Sequence, residues 1–192
     1  VSDPDGAAYD AIVLAGGSAR RLDGVDKPGL LIGGVSLLDR VLAAVDGADR
    51  TVVVGPARVT ARPVEWVRED PPGSGPVAGL AAGVAKCAAP VVLTLAADLP
   101  WIAPAISRLT AAVSDLDVAV LVDGSGRRSL LTAAWRRASL VAALDRVDAP
   151  AGVAVRRLFD GAAVVEVADE GGWSEDCDTW EAIERARARM GA

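Results

Sequence analysis

The densest chemistry in the chain lies in fourteen consecutive residues, Leu14-Ala15-Gly16-Gly17-Ser18-Ala19-Arg20-Arg21-Leu22-Asp23-Gly24-Val25-Asp26-Lys27. The apolar run Ala11-Ile12-Val13-Leu14 stops at Gly16-Gly17. That pattern reads as a buried strand opening into a turn whose free N–H groups can point inward at an anion. Arg20, Arg21 and Lys27 add positive charge beside it, which suits a polyphosphate. The same residues also describe a surface turn with solvated arginines. A Walker A loop is excluded, because no Gly-Lys-Ser/Thr follows a four-residue gap. Three acids complete the candidate set. Asp98 closes Leu95-Ala96-Ala97-Asp98-Leu99-Pro100, where it either caps the next helix or holds Mg²⁺, an ion that favours one or two carboxylates plus substrate phosphate oxygens. Asp178, or Asp176, is either a second ligand or a turn residue before Thr179. Asp70 precedes two prolines and reads as a turn acid or a site residue.

What is missing narrows the chemistry further. The 192 residues include no histidine and two cysteines, Cys87 and Cys177. A Ser-His-Asp triad, a His general base and a four-thiolate cluster are therefore excluded. Twenty Lys and Arg stand against 26 Asp and Glu, a net charge of −6, which argues against a nucleic-acid partner. Hydrophobic residues make up 52% of the chain, enough for a core. The longest charge-free stretch, residues 71–85, is broken by proline and glycine and falls short of the ~18 apolar residues a membrane span needs. An acidic first segment and two separated cysteines point to a cytoplasmic protein without a membrane anchor or disulfide framework. The length suggests one domain over residues 11–192 after a flexible lead at residues 1–10.

These residues must be positioned by regular elements. Apolar runs predict strands at residues 11–14, 51–54, 64–68, 91–95, 118–122, 131–135 and 163–167. Helical periodicity predicts helices at 36–45, 76–87, 104–114, 138–146, 153–159 and 179–190, joined by a polar loop at 15–28. Ser36 and Asp39 have the spacing of a capping box. Strands alternating with helices give an α/β fold, a mostly parallel sheet flanked by helices on both faces. Such sheets bind ligands at the C-terminal ends of their strands, which would gather Gly16-Gly17, Asp70 and Asp98. Gly73-Ser74-Gly75-Pro76-Val77-Ala78-Gly79 superficially suits a dinucleotide fingerprint, but Pro71-Pro72 hold it away from the strand end.

The segment Leu14-Ala15-Gly16-Gly17, an arginine, then Asp26-Lys27 resembles the signature of the NTP-transferase family, and within it most resembles the molybdenum cofactor guanylyltransferases. Further matches are Asp70 followed by Gly75-Pro76-Val77-Ala78-Gly79-Leu80, Leu95 to Pro100, Val155-Arg156-Arg157-Leu158, and Asp176-Cys177-Asp178-Thr179. The resemblance implies a Rossmann-like nucleotidyltransferase that moves GMP from GTP to the terminal phosphate of molybdopterin. In that reading Leu14, Ala15, Gly16, Gly17, Ser18 and Arg21 hold the nucleotide with Asp70. Lys27 and Arg20 are catalytic, and Asp98 with Asp178 holds Mg²⁺. Acceptor molybdoenzymes are implied partners. Asp23, Gly55 and the segment Arg128-Ser129-Leu130-Leu131 depart from the family pattern. The alternatives are transfer of CMP to molybdopterin, transfer to a sugar phosphate, or a nucleotide-binding module without turnover. Among five tryptophans, Trp101 is the candidate for pterin contact, and both cysteines read as inert thiols.

Overall fold

The computed structural model describes residues 8–17 and 24–191. The first strand, β1 (Tyr9–Leu14), is followed by a one-turn 3₁₀ helix (Lys27–Gly29), a two-stranded hairpin of β2 (Leu31–Ile32) and β3 (Val35–Ser36), and α1 (Leu37–Ala44). Then come β4 (Arg50–Val54), β5 (Glu65–Val67), α2 (Pro76–Val84), β6 (Val91–Ala96) and α3 (Ala103–Ala112). The C-terminal half contains β7 (Val118–Val122), β8 (Arg128–Arg136), α4 (Arg137–Asp145), a 3₁₀ turn (Val155–Phe159), β9 (Val164–Ala168) and α5 (Trp180–Gly191). Seven strands form one sheet in the order β5-β4-β1-β6-β8-β7-β9. All pairings are parallel except those that β8 makes with β6 and β7.

The sheet is buried on both faces because its strands are apolar at successive positions. Ala11 and Val13 face one layer with Leu38, Val41 and Leu42 of α1 and Ile106 and Leu109 of α3. Ile12 faces the other with Val77, Leu80 and Val84 of α2 and Leu140 of α4. Ser36 caps α1, its hydroxyl accepting the Asp39 N–H at 3.0 Å, as its spacing predicts. A smaller apolar cluster, including Ile32, Leu37 and Ile183, docks α5 on the β2–β3 hairpin.

Three features differ from the sequence reading. β1 begins at Tyr9 rather than residue 11 and includes Asp10, which is buried. The Asp10 carboxylate accepts the N–H groups of Ala88 and Ala89 at 2.6 and 2.9 Å, so a polar residue is satisfied inside the sheet. The β2–β3 hairpin lies in a stretch left unassigned between the polar loop and α1. β8 is longer than predicted and antiparallel, because only five residues separate it from β7, and a parallel crossover needs a dozen or more. The Asp123 carboxylate accepts from the Ser125 and Arg127 N–H groups at 2.9 and 3.0 Å and closes that turn.

Candidate functional site

The parallel strands end side by side, and hydrogen bonds beyond their ends keep the edge aligned. Ala15 N–H donates to the Val54 carbonyl at 2.8 Å, Ala97 N–H to the Leu14 carbonyl at 3.0 Å, and Gly55 N–H to the Val67 carbonyl at 2.9 Å. Gly55 has φ of +145°, and a Cβ there would lie 2.9 Å from both the Ala15 carbonyl carbon and the Gly16 nitrogen. Only glycine lets the loop after β4 approach the turn after β1 so closely. Gly16 and Gly17 remain exposed at this edge. Ser18, Arg20, Arg21 and Asp23 lie outside the described residues.

Lys27 comes to the same edge from the short 3₁₀ helix. Its Nζ contacts the carboxylates of Asp98, which follows β6, and Asp178, which precedes α5. Residues separated by as many as 151 positions thus meet at one ammonium group. Burial pushes the Asp98 carboxyl above its ordinary range, with Asp176 and Asp178 adding to the rise and Lys27 opposing it. For Lys27 burial acts downward, but Asp98 and Asp178 outweigh it and leave the ammonium above its ordinary value. Asp98 does not cap the next helix: Ile102 is the N-cap residue of α3 and no side chain bonds there. Thr179 caps α5, accepting the Ala182 N–H at 3.2 Å, which leaves Asp178 to reach Lys27.

The donor set fits a hard divalent cation. Asp98 Oδ1 is buried and has no hydrogen-bond partner among the described residues, while Oδ2 is on Lys27. Among the described residues no cluster of three or more His, Cys, Asp or Glu is poised for a metal. An oxygen site of one or two carboxylates matches Mg²⁺, whose other ligands are water and substrate phosphate. Asp70 is exposed after β5 and makes no hydrogen bond or ion pair among the described residues. It shares the edge with Asp98 without touching it.

A cleft of about 760 Å³ opens between the loops that follow β6, β7 and β9 and helix α5; Asp98 does not line it, but Cys177 does, and its N–H donates to the Asp98 carbonyl at 3.2 Å. Trp101, Arg127, Arg128, Cys177, Arg185 and Arg189 are among its lining residues. Arg189 lies 4.4 Å over the Trp101 ring. Arg128 pairs with Glu166 at 2.7 Å. Asp169 is turned into its own loop, its Oδ1 accepting from Trp173 N–H at 2.7 Å and its Oδ2 from the Ser174 hydroxyl at 2.6 Å. Asp169-Glu170-Gly171-Gly172 carries only a turn signal in the sequence, whereas Arg127 and Arg185 belong to short basic segments, Arg127-Arg128 and residues 185–189, that read equally as phosphate contacts or solvated faces. Burial pushes the Cys87 thiol to about 12 and that of Cys177 to about 11, so both are poor nucleophiles at neutral pH. Trp135 is a core residue, its ring 4.8 Å from that of Phe159. Among the described residues no helix is long and apolar enough to cross a membrane.

The chain is 36% identical over 171 residues to the molybdenum cofactor guanylyltransferase of Acidiphilium cryptum, an alignment covering 84% of this chain and 78% of that protein. It is also 36% identical to the protein of that name from a Bradyrhizobium strain, over 61% of each chain. Its fold is similar to the crystal structure of molybdopterin-guanine dinucleotide biosynthesis protein A from Archaeoglobus fulgidus, with a TM-score of 0.75 and 20% identity over 95% of this chain and 98% of that one. Residues 11–167, from the first buried strand through the glycine turn and Asp98 to β9, match the MobA-like NTP transferase domain, and the chain belongs to that family.

Proposed function

We propose that this chain moves GMP from GTP to the terminal phosphate of molybdopterin and releases pyrophosphate. The observation that carries the reading is the meeting of Lys27, from the glycine-turn side, with buried Asp98 at the C-terminal sheet edge. The 36% identical guanylyltransferase supports the choice of nucleotide and acceptor. In this reading an oxygen of the acceptor phosphate attacks the α-phosphorus of GTP. The bond from that phosphorus to the bridging oxygen breaks, and its electron pair leaves with pyrophosphate. The attacking group is already an anion, so no side-chain base is needed, in keeping with a chain that has no histidine.

Gly16 and Gly17, exposed at this edge, with Ser18, Arg20 and Arg21, orient the β- and γ-phosphates, and Leu14 and Ala15 complete the nucleotide site. Lys27 offsets charge that builds on the α-phosphate and the leaving group. Asp70 helps hold the nucleoside. Asp98 and Asp178 would hold Mg²⁺, which when bound supplies Lewis-acid polarisation of the phosphate oxygens. The cleft between the loops after β6, β7 and β9 receives the acceptor. The Arg127 and Arg185 side chains there form no salt bridge among the described residues, leaving two cations for an anionic ligand, and Trp101, whose ring already carries Arg189, is the candidate aromatic contact for the pterin. The test is pyrophosphate release with molybdopterin and GTP, CTP, ATP or UTP in turn. Release with GTP is expected. Release with another nucleotide instead, or tight GTP binding without release, overturns the assignment.

A further inference from the structure

Asp26 directly precedes Lys27 in sequence, yet the chemistry above gives it no part. It is the N-cap residue of the 3₁₀ helix that carries Lys27, but its side chain makes no capping hydrogen bond. Its Oδ1 instead lies 3.0 Å from Arg58 Nη2, and its Oδ2 occupies the space a Cβ on Gly29 would need, 2.7 Å from that position. Arg58 belongs to the segment that leaves β4 at Gly55. That segment therefore meets both described ends of the glycine-rich loop: Gly55 packs on Ala15 and Gly16, and Arg58 pairs with Asp26. Pro56 stiffens the two-residue link, Pro56-Ala57, between the two contacts.

As a stabilising ion pair this one is weak, because the Asp26 side chain is 60% exposed. The Arg58 side chain is only 18% exposed, and its Nη1 is buried with no acceptor among the described residues. A buried charged donor left unmatched is unfavourable. A lone 3₁₀ turn is also a weak element, with few hydrogen bonds to fix its direction. Here the two backbone bonds are Gly29 N–H to the Asp26 carbonyl and Leu30 N–H to the Lys27 carbonyl, both 3.0 Å.

We infer that Asp26 and Arg58 are a positioning pair that aims Lys27 at Asp98. Arg58 acts through Lys27 rather than by touching the reacting atoms. The inference rests on the transfer function proposed above for its kinetic consequence, though not for its structural one. Misplacing a catalytic group by about 1 Å costs up to ~100-fold in rate, and a change roughly tenfold in kcat is expected when Arg58→Ala loosens one of several restraints.

The test is a double-mutant cycle with a labelling control. Arg58→Ala should lower kcat with a smaller change in KM for GTP, and should cause no further loss in Lys27→Ala, because the lysine through which it acts is gone. Arg58→Lys, which keeps a cation opposite Asp26, should recover most of the loss. Independently of turnover, trace acetylation of the ligand-free protein compares its two lysines, Lys27 and Lys86. Lys27 should label faster relative to Lys86 in Arg58→Ala and in Asp26→Asn. Unchanged labelling and kcat in folded Arg58→Ala overturns the inference, as does a loss that multiplies with that of Lys27→Ala. If the unmodified protein transfers no GMP, the functional reading fails, and the labelling comparison still decides whether the pair positions Lys27.

Discussion

At the residue scale, the Asp98 carboxylate is held in a state that folding alone would not favour. One oxygen is on Lys27, the other has no partner among the described residues, and burial disfavours the charge. The two members of the pair should therefore respond differently to mutation. Asp98→Asn removes a buried charge, keeps the shape and leaves Lys27 paired with Asp178, so the ligand-free protein should change in stability by less than about 1 kcal/mol while transfer falls at least ~100-fold. Lys27→Ala strands the carboxylate of Asp98 without its cation and should cost roughly 3 kcal/mol, near the low end for a broken buried pair. Urea unfolding of the two variants beside the parent measures both values. A large stability loss in Asp98→Asn would mean that the carboxylate is there for folding.

At the scale of elements, close packing of α2 on β1 decides where the glycine turn emerges. A Cβ on Gly83 would sit 2.7 Å from Ile12 Cγ2, and one on Gly79 would sit 3.1 Å from Leu14 Cδ2. Gly83→Ala should gain about 1 kcal/mol of helix propensity and lose about 1–3 kcal/mol to overpacking. A lowered Tm is expected, and a raised one would show that Ile12 yields easily. Much of this layer was legible in the sequence. Ala11 to Leu14 and Val91 to Leu95 are unbroken apolar runs that have few alternatives to a buried strand, and Ser36 with Asp39 marks the start of α1. The direction of β8 was hidden because an apolar run looks the same in either direction; the five-residue link from β7 held the information. Gly33-Gly34 between Leu31-Ile32 and Val35 likewise had the form of a hairpin turn. For the candidate site, the placing of Asp98 at the C-terminal end of its strand was legible from the apolar run before it, whereas its meeting with Lys27 was not. Nor was the Arg58–Asp26 contact, since a lone arginine in a polar loop has no periodicity to reveal its partner.

At the scale of the whole molecule, two loops on different parts of the sheet are fastened by the carboxylates of Asp117 and Asp169, and the fold is expected to lose stability in acid through them. Asp117 is held below the usual carboxylate range chiefly by the Ser139 hydroxyl at 2.6 Å and the Ala163 N–H at 2.8 Å. For Asp169 burial acts upward, but bonds from Ser174, Trp173 and Gly171 outweigh it and leave the carboxyl below its ordinary value. A depressed folded-state value contributes stability above the unfolded carboxylate value of about 3.9, lost as pH falls through the lower folded-state value. The urea midpoint should therefore drop on acidification below about pH 4. In Asp117→Asn/Asp169→Asn it should start lower at neutral pH and fall less steeply; parallel curves would assign the acid sensitivity elsewhere. The parallel-strand edge of this fold is where GMP transfer would take place. The most direct measurement follows the label from GTP carrying ³²P in the α- or the γ-phosphate, with Mg²⁺ and molybdopterin. The account predicts α-label in the molybdopterin product, γ-label in pyrophosphate, and both reduced at least ~100-fold in Asp98→Asn. Label from the α-phosphate that stays in free nucleotide, or transfer undiminished in Asp98→Asn, would contradict it.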